Sequence, residues 1–237
     1  MGDARKAIGF YEQALAIERE IGDRRGEGNA LGNLGLAYAA LGDARKAIEF
    51  YEQALAIDRE IGDRRGEGAD LGNLGLAYAA LGDARQAIEF YEQQLVIVRE
   101  IGDRRGEGNA LGNLGNAYAA LGDARKAIEF YEQALAIDRE IGDRRGEGAD
   151  LGNLGLAYAD LGDARKAIEF YEQQLVIVRE IGDRRGEGTA LGNMGMAYKT
   201  LGEKANARAL WLQALEIYRA IESPHAQTVE RWLAGIK

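Results

Sequence analysis

The stretch GEGNALGNLG, residues 26–35, sets four glycines into ten positions. Such density fits either a loop that cradles a phosphate at a helix start or a device for close packing. Spacing argues against the first. After Gly26-x-Gly28 a dinucleotide fingerprint needs glycine at position 31, where the chain has Leu31, and no lysine followed by serine or threonine completes a P-loop. Recurrence argues for the second, because closely similar words return at 66–75, 106–115, 146–155 and 186–195, a constant step of forty residues. One fingerprint serves one ligand, whereas five in register describe a repeat array.

Composition narrows the chemistry. The 237 residues contain no cysteine and a single histidine, His225, which excludes disulfide staples, thiolate metal sites and most acyl-transfer triads. No cofactor or metal is expected. A net charge of -9 argues against nucleic acid as the main partner. No apolar run approaches the ~20 residues of a membrane span and no signal peptide opens the chain, so the expectation is a soluble, cytoplasmic protein that binds no membrane. Arginine pairs recur in the DRRGE words, each flanked by acids as in Asp63-Arg64-Arg65-Gly66-Glu67. They are expected to be solvated turn charges.

Each forty-residue unit carries two Gly-Asp pairs twenty residues apart, such as Gly42-Asp43 and Gly62-Asp63. Glycine suits the left-handed residue past a helix and aspartate the N-cap of the next, so each pair predicts a tight turn between two helices. In DARKAIEFYEQALAIDREIG, residues 43–62, the residues Ala47, Ile48, Tyr51, Ala54, Leu55 and Ile61 share one apolar face at helical spacing. This is the second helix of the repeat. In DRRGEGADLGNLGLAYAALG, residues 63–82, Leu71, Leu74, Gly75, Tyr78 and Leu81 form the stripe of the first helix, with Gly75 leaving room for another helix. Each interior glycine costs ~1 kcal/mol against alanine, so the first turn, through Gly66 and Gly68, is expected to be frayed.

The fold expected is all-α: a right-handed superhelical solenoid of antiparallel helix hairpins, residues 1–237 forming a single array. A lone second helix at 3–21, with Ala7, Ile8, Tyr11, Leu15 and Ile17 short of a partner, precedes five forty-residue hairpins at 23–222. A capping helix is expected at 223–237, with Ser223 as N-cap, Pro224 at the first helical position, and Ala226, Val229, Leu233 and Ile236 covering the last apolar face. Trp211 stands where earlier repeats have tyrosine, to pack under this lid, and His225 is expected on the surface. Residues 43–82 differ from 83–122 at seven of forty positions, but 43–122 differ from 123–202 at only seven of eighty. The duplicated unit is therefore a pair of repeats, and QALAID and QQLVIV alternate so that odd and even junctions pack differently.

The run NLGLAYAALGDARKAIEFYEQALAI, residues 33–57, resembles the tetratricopeptide repeat family in its leucine-glycine, tyrosine, alanine and aromatic positions. Its forty-residue period resembles the longer-repeat subclass of Pins/LGN-type adaptors and of bacterial regulatory proteins. That resemblance implies a concave groove, lined by first helices, that holds peptides. The groove arginine that follows GEG in such adaptors is here Asn29, Ala69, Asn109, Ala149 or Thr189.

Opposite the apolar stripe of each first helix lie four further positions per repeat, exemplified by Ala69, Asn73, Leu76 and Ala80. Of the twenty residues at these positions only Asp160 is charged, whereas an ordinary solvated face is rich in lysine and glutamate. The candidate peptide-binding residues are Asn29, Asn33, Asn73, Asn109, Asn113, Asn116, Asn153 and Asn193, the central cluster being Asn109, Asn113 and Asn116. A carboxamide both donates and accepts, so this ladder can pair with an extended peptide backbone or bridge neighbouring helices. The carboxylates, such as Glu49 with Glu52 or Asp58 with Glu60, are expected on exposed faces with nothing apolar to raise a pKa, so no catalysis is expected. The function implied is a non-catalytic scaffold for protein–protein interaction. The alternative is a structural or engineered solenoid without a dedicated ligand, self-associating as a homo-oligomer through the N-terminal helix.

Overall fold

A computed structural model describes residues 2–236. Among them are twelve α-helices and no strand. The chain divides into two compact units, residues 1–121 and 122–237. The first holds α1 (Gly2–Ile21), α2 (Arg24–Ala40), α3 (Ala44–Ile61), α4 (Arg64–Ala80), α5 (Ala84–Glu100) and α6 (Arg104–Ala120). The second holds α7 (Ala124–Ile141), α8 (Arg144–Asp160), α9 (Ala164–Glu180), α10 (Arg184–Thr200), α11 (Lys204–Ala220) and α12 (His225–Gly235). Within each unit every helix packs on the next in sequence, and α2 also meets α4, α4 meets α6, and α8 meets α10. These are stacked helical hairpins.

The punctuation does what glycine and aspartate favour. Ten Gly-Asp-type turns place their glycine at φ between 71° and 82°, a region that costs an L side chain energy. Aspartate then caps the following helix, as when Asp63 Oδ1 accepts from the Gly66 N–H at 3.0 Å. The cap of α12 departs slightly from expectation. Pro224 occupies the N-cap position, and Ser223 Oγ accepts from the His225 N–H at 3.3 Å one residue earlier than a regular cap would. Lys237, the last residue assigned to the capping helix, lies outside the described residues.

The stripe residues Leu71 and Leu74 are fully buried, with Ala47, Ile48, Tyr51 and Leu55 packed on them. Leu81 is not part of that core: it caps α4 and stays 46% exposed, because the chain has already turned away into the Gly82 loop. Gly75 accommodates the Tyr91 ring, and Gly35 and Gly155 accommodate Tyr51 and Tyr171 in the same way. In the last hairpin Trp211 replaces that tyrosine. It is fully buried over Gly195, donates its Nε1–H to the Gly192 carbonyl at 3.0 Å, and meets Trp232 of α12 with ring centroids 5.5 Å apart. Val229 is buried beside it, and Ala226, Leu233 and Ile236 close over the same cluster.

The first turns of the first helices are not frayed. Glu67, only 5% exposed, receives Arg59 Nε at 2.8 Å from the preceding helix and Arg64 Nη1 from its own first turn. Glu27, Glu107, Glu147 and Glu187 are held by equivalent arginine pairs. Arg64 reaches on to Glu100, as Arg24 does to Glu60 and Arg144 to Glu180. Arg24, Arg64 and Arg144 therefore clamp their own helix to the next one, and are not solvated turn charges, whereas Arg184 closes only on Glu187 of its own helix. Carboxylate at a helix start also complements the positive end of the helix dipole.

Candidate functional site

In the first unit α2, α4 and α6 present one exposed face. Leu36 and Leu76 project from it about half exposed, while Asn33, Asn73 and Asn113 are half-buried at their feet and Asn29, Asn109 and Asn116 are exposed. Two depressions open between these helices. One, of about 400 Å³, is lined by Leu36, Tyr51, Asn73, Leu76, Ala77 and Leu81. The next, of about 240 Å³, is lined by Leu76, Tyr91, Asn113, Asn116, Ala117 and Leu121. In the second unit a third depression of about 280 Å³ is formed by Leu156, Asp160, Tyr171, Asn193, Met196 and Thr200 among others. Each follows from the repeat: a glycine admits the tyrosine that makes the floor, and the residue directly after it supplies an apolar wall.

The asparagines are thus not equally placed. Asn113 and Asn116 share one depression, Asn73 and Asn193 lie one in each of the others, and Asn29, Asn33, Asn109 and Asn153 line none of the three. Asn109 lies one turn before Asn113 on the same face of α6. Among the described residues, the carboxamides of Asn33, Asn73, Asn113, Asn153 and Asn193 make no hydrogen bond within the protein. No hydrogen bond from these carboxamides joins neighbouring first helices among the described residues. A half-buried amide with both its donor and acceptor free, beside an apolar dent, suits a peptide group flanked by an apolar side chain. Burial pushes the Tyr51 and Tyr91 phenols up to about 12, so the floors are uncharged at neutral pH.

A second constellation was placed wrongly by sequence. Asp58, expected on a solvated face, is half-buried and lies between α2 and α4, against Gly28 and Gly66. It faces Asp70 of α4, which is 6% exposed. Burial, then the Asp58 charge and a hydrogen bond between the carboxyls, pushes Asp70 up to about 8; burial first, with Asp63 and Glu67 adding, pushes Asp58 up to about 6. Asp70 Oδ2 is buried without a hydrogen-bond partner, a setting that favours the neutral acid over an unpaired buried charge. The second unit repeats this with Asp138 and Asp150. At the alternate junction the same positions are Val98 and Ala110, with Gln94 replacing Ala54 to fill the space, its Nε2 against Gly72. The QALAID/QQLVIV alternation is therefore a switch between an acid pair and an apolar pair. Two residues changing together, Asp58 with Asp70 and Val98 with Ala110, were the available signal. Among the described residues no three of His, Cys, Asp or Glu come together as a metal site, and no helix is long and apolar enough to cross a membrane.

Within each unit, stacked hairpins with a depression between neighbouring first helices define a helical repeat solenoid. The sequence matches the tetratricopeptide repeat over residues 1–60, 69–140 and 149–220, and the chain belongs to that family. Among solved structures it is similar to BtubC (BKLC) from P. vanneervenii, at 23% identity and a TM-score of 0.81 over 94% of this chain and 93% of that one. It is also similar to a Rap protein complexed with Competence and Sporulation Factor, at 18% identity and a TM-score of 0.69 over 99% and 70%. The apo quorum sensor NprR from B. thuringiensis is similar at 18% identity and a TM-score of 0.74 over 97% and 65%. No curated protein matches significantly.

Proposed function

We propose that the chain is a non-catalytic, cytoplasmic scaffold whose first-helix face forms a concave groove for an extended, mostly neutral peptide segment of a partner protein, residues 1–237 serving as one array. The observation that carries the proposal is the face itself: neutral where a solvated face is charged, apolar at each depression, and supplied at Asn33, Asn73 and Asn113 with carboxamides that make no hydrogen bond among the described residues. The similarity to a Rap protein complexed with Competence and Sporulation Factor supports it at the level of fold alone. The forty-residue period supports the Pins/LGN-type subclass, but asparagine, alanine or threonine in place of the groove arginine argues against a preference for acidic peptides. Peptide-library selection against the intact chain should return binders. With Asn109, Asn113 and Asn116 changed to alanine, and helicity unchanged, affinity should fall roughly tenfold, about 1.4 kcal/mol. Equally tight binders from both proteins would refute the groove.

A second reading, self-association through α1, rests on Phe10. Its counterparts Phe50, Phe90 and Phe170 stack on Tyr38, Tyr78 and Tyr158 at 5.3 Å, whereas Phe10 is 70% exposed, with Ile17 and Ile21 also exposed. Sedimentation should reveal concentration-dependent dimers that Phe10→Glu abolishes. A monomer at every concentration excludes this mode.

A further inference from the structure

Residues 123–162 repeat residues 43–82 with one change in forty, Asp160 for Ala80. The same place is Ala40 and Ala120 in two further repeats and Thr200 in the last. A single substitution that has entered an otherwise copied unit, and that falls on the proposed binding face, is informative. So is its chemistry. Asp160 is the final residue of α8, where the negative end of the helix dipole opposes a carboxylate. Nothing in the protein offsets this: among the described residues the Asp160 side chain has no hydrogen bond and no ion pair, and it is exposed. The position is thus less favourable for folding than its alanine counterparts, yet it carries the one charge of the twenty face positions.

The surroundings indicate what that charge meets. Asp160 lines the depression of about 280 Å³ whose other walls are Leu156, Ala159, Tyr171, Asn193 and Met196. After burial, the Asp160 charge is the next cause that raises the Tyr171 phenol, so carboxylate and floor share one electrostatic environment. Apolar walls with a carboxylate at one side match a long aliphatic stem ending in a cation, the way lysine and arginine cover apolar surface while their heads stay charged.

We infer, building on the groove reading, that the ligand segment carries one lysine or arginine whose stem lies in this depression and whose head pairs with Asp160, so that this residue sets the register of an otherwise neutral peptide. Asp160→Ala restores the residue found at three equivalent positions and preserves the fold. Peptides selected on the intact chain should be enriched in a basic residue at one position, and Asp160→Ala should bind them about fivefold more weakly. Replacing the basic residue by norleucine should cost the same on the intact chain and nothing on Asp160→Ala. Binders that lose affinity with Asn193→Ala but not with Asp160→Ala, or that carry no basic residue, would overturn this inference and leave the groove standing. Absence of any binder to the intact chain would overturn both.

Discussion

Gly75→Ala is expected to lower the stability of the protein, whereas Gly32→Ala, the same change in the equivalent helix one repeat earlier, is expected to raise it. Alanine favours a helix interior over glycine by about 1 kcal/mol at both sites. What differs is the space. A Cβ at Gly32 would meet only Asp70 Oδ1 at 3.6 Å, an ordinary contact. A Cβ at Gly75 would lie 2.6 Å from Cδ1 and 2.8 Å from Cζ of Tyr91, and closer still to Cε1. That ring is 2% exposed and rigid, so relief requires α4 and α5 to move apart or the ring to leave its rotamer. Overpacking of this kind costs about 1–3 kcal/mol or more, enough to exceed the propensity gain. In thermal melts Gly75→Ala should drop the midpoint by several degrees, at roughly 2–4 °C per kcal/mol for a chain of this size. Equal shifts in the two variants would show that propensity alone governs these glycines.

Those glycines mark what was legible in the sequence. Gly75 sat in an apolar stripe at helical spacing, which identified it as a place of close approach. The turns were equally readable, because Gly-Asp has one favoured use between helices and serves it nine times, with Gly202-Glu203 as the tenth turn. Partners outside the local pattern were not readable. Glu67 looked like a turn residue since its two arginines come from the end of one helix and the start of the next, and the apparently frayed first turn is fixed by that clamp. Asp58 looked exposed because its own helix gives it Arg59 and Glu60 as neighbours, whereas its burial comes from α2 and α4. At the groove, the neutral face was visible as a pattern, but which amides border a depression depended on where the tyrosine floors lie.

The acid pairs should invert the usual response of stability to pH. In the unfolded chain Asp58 and Asp70 ionise near pH 4. Folded, burial raises Asp58 to about 6, with Asp63 and Glu67 adding and with Arg25 and the hydrogen bond to Asp70 opposing, while burial and then the Asp58 charge raise Asp70 to about 8. Between about pH 4 and pH 8 the native state therefore binds more protons than the unfolded state, and stability must fall as pH rises. The contribution is fully present below the unfolded value and is lost as pH rises through the folded values. Asp150, raised to about 8 by burial and then by the Asp138 charge, repeats the effect in the second unit. Glutamates bridged to arginine act in the opposite sense: a hydrogen bond from Arg19 holds Glu27 below its ordinary value, and Arg24 does the same for Glu60, so their contribution is lost as pH falls below about 4.5. The two opposed slopes place maximal stability near pH 5, and the midpoint of thermal unfolding should be lower at pH 8 by on the order of 5–10 °C. The alternate junctions supply the control, since Ala54→Gln, Asp58→Val and Asp70→Ala together copy residues Gln94, Val98 and Ala110 of the same protein. That variant, with its counterpart at Ala134, Asp138 and Asp150, should unfold at nearly the same temperature at pH 5 and pH 8, and should be more stable than the parent at the higher pH because it removes a buried charge. A parent protein whose midpoint does not fall between pH 5 and pH 8 would mean that both carboxyls ionise freely, and that the pairs lie open to water.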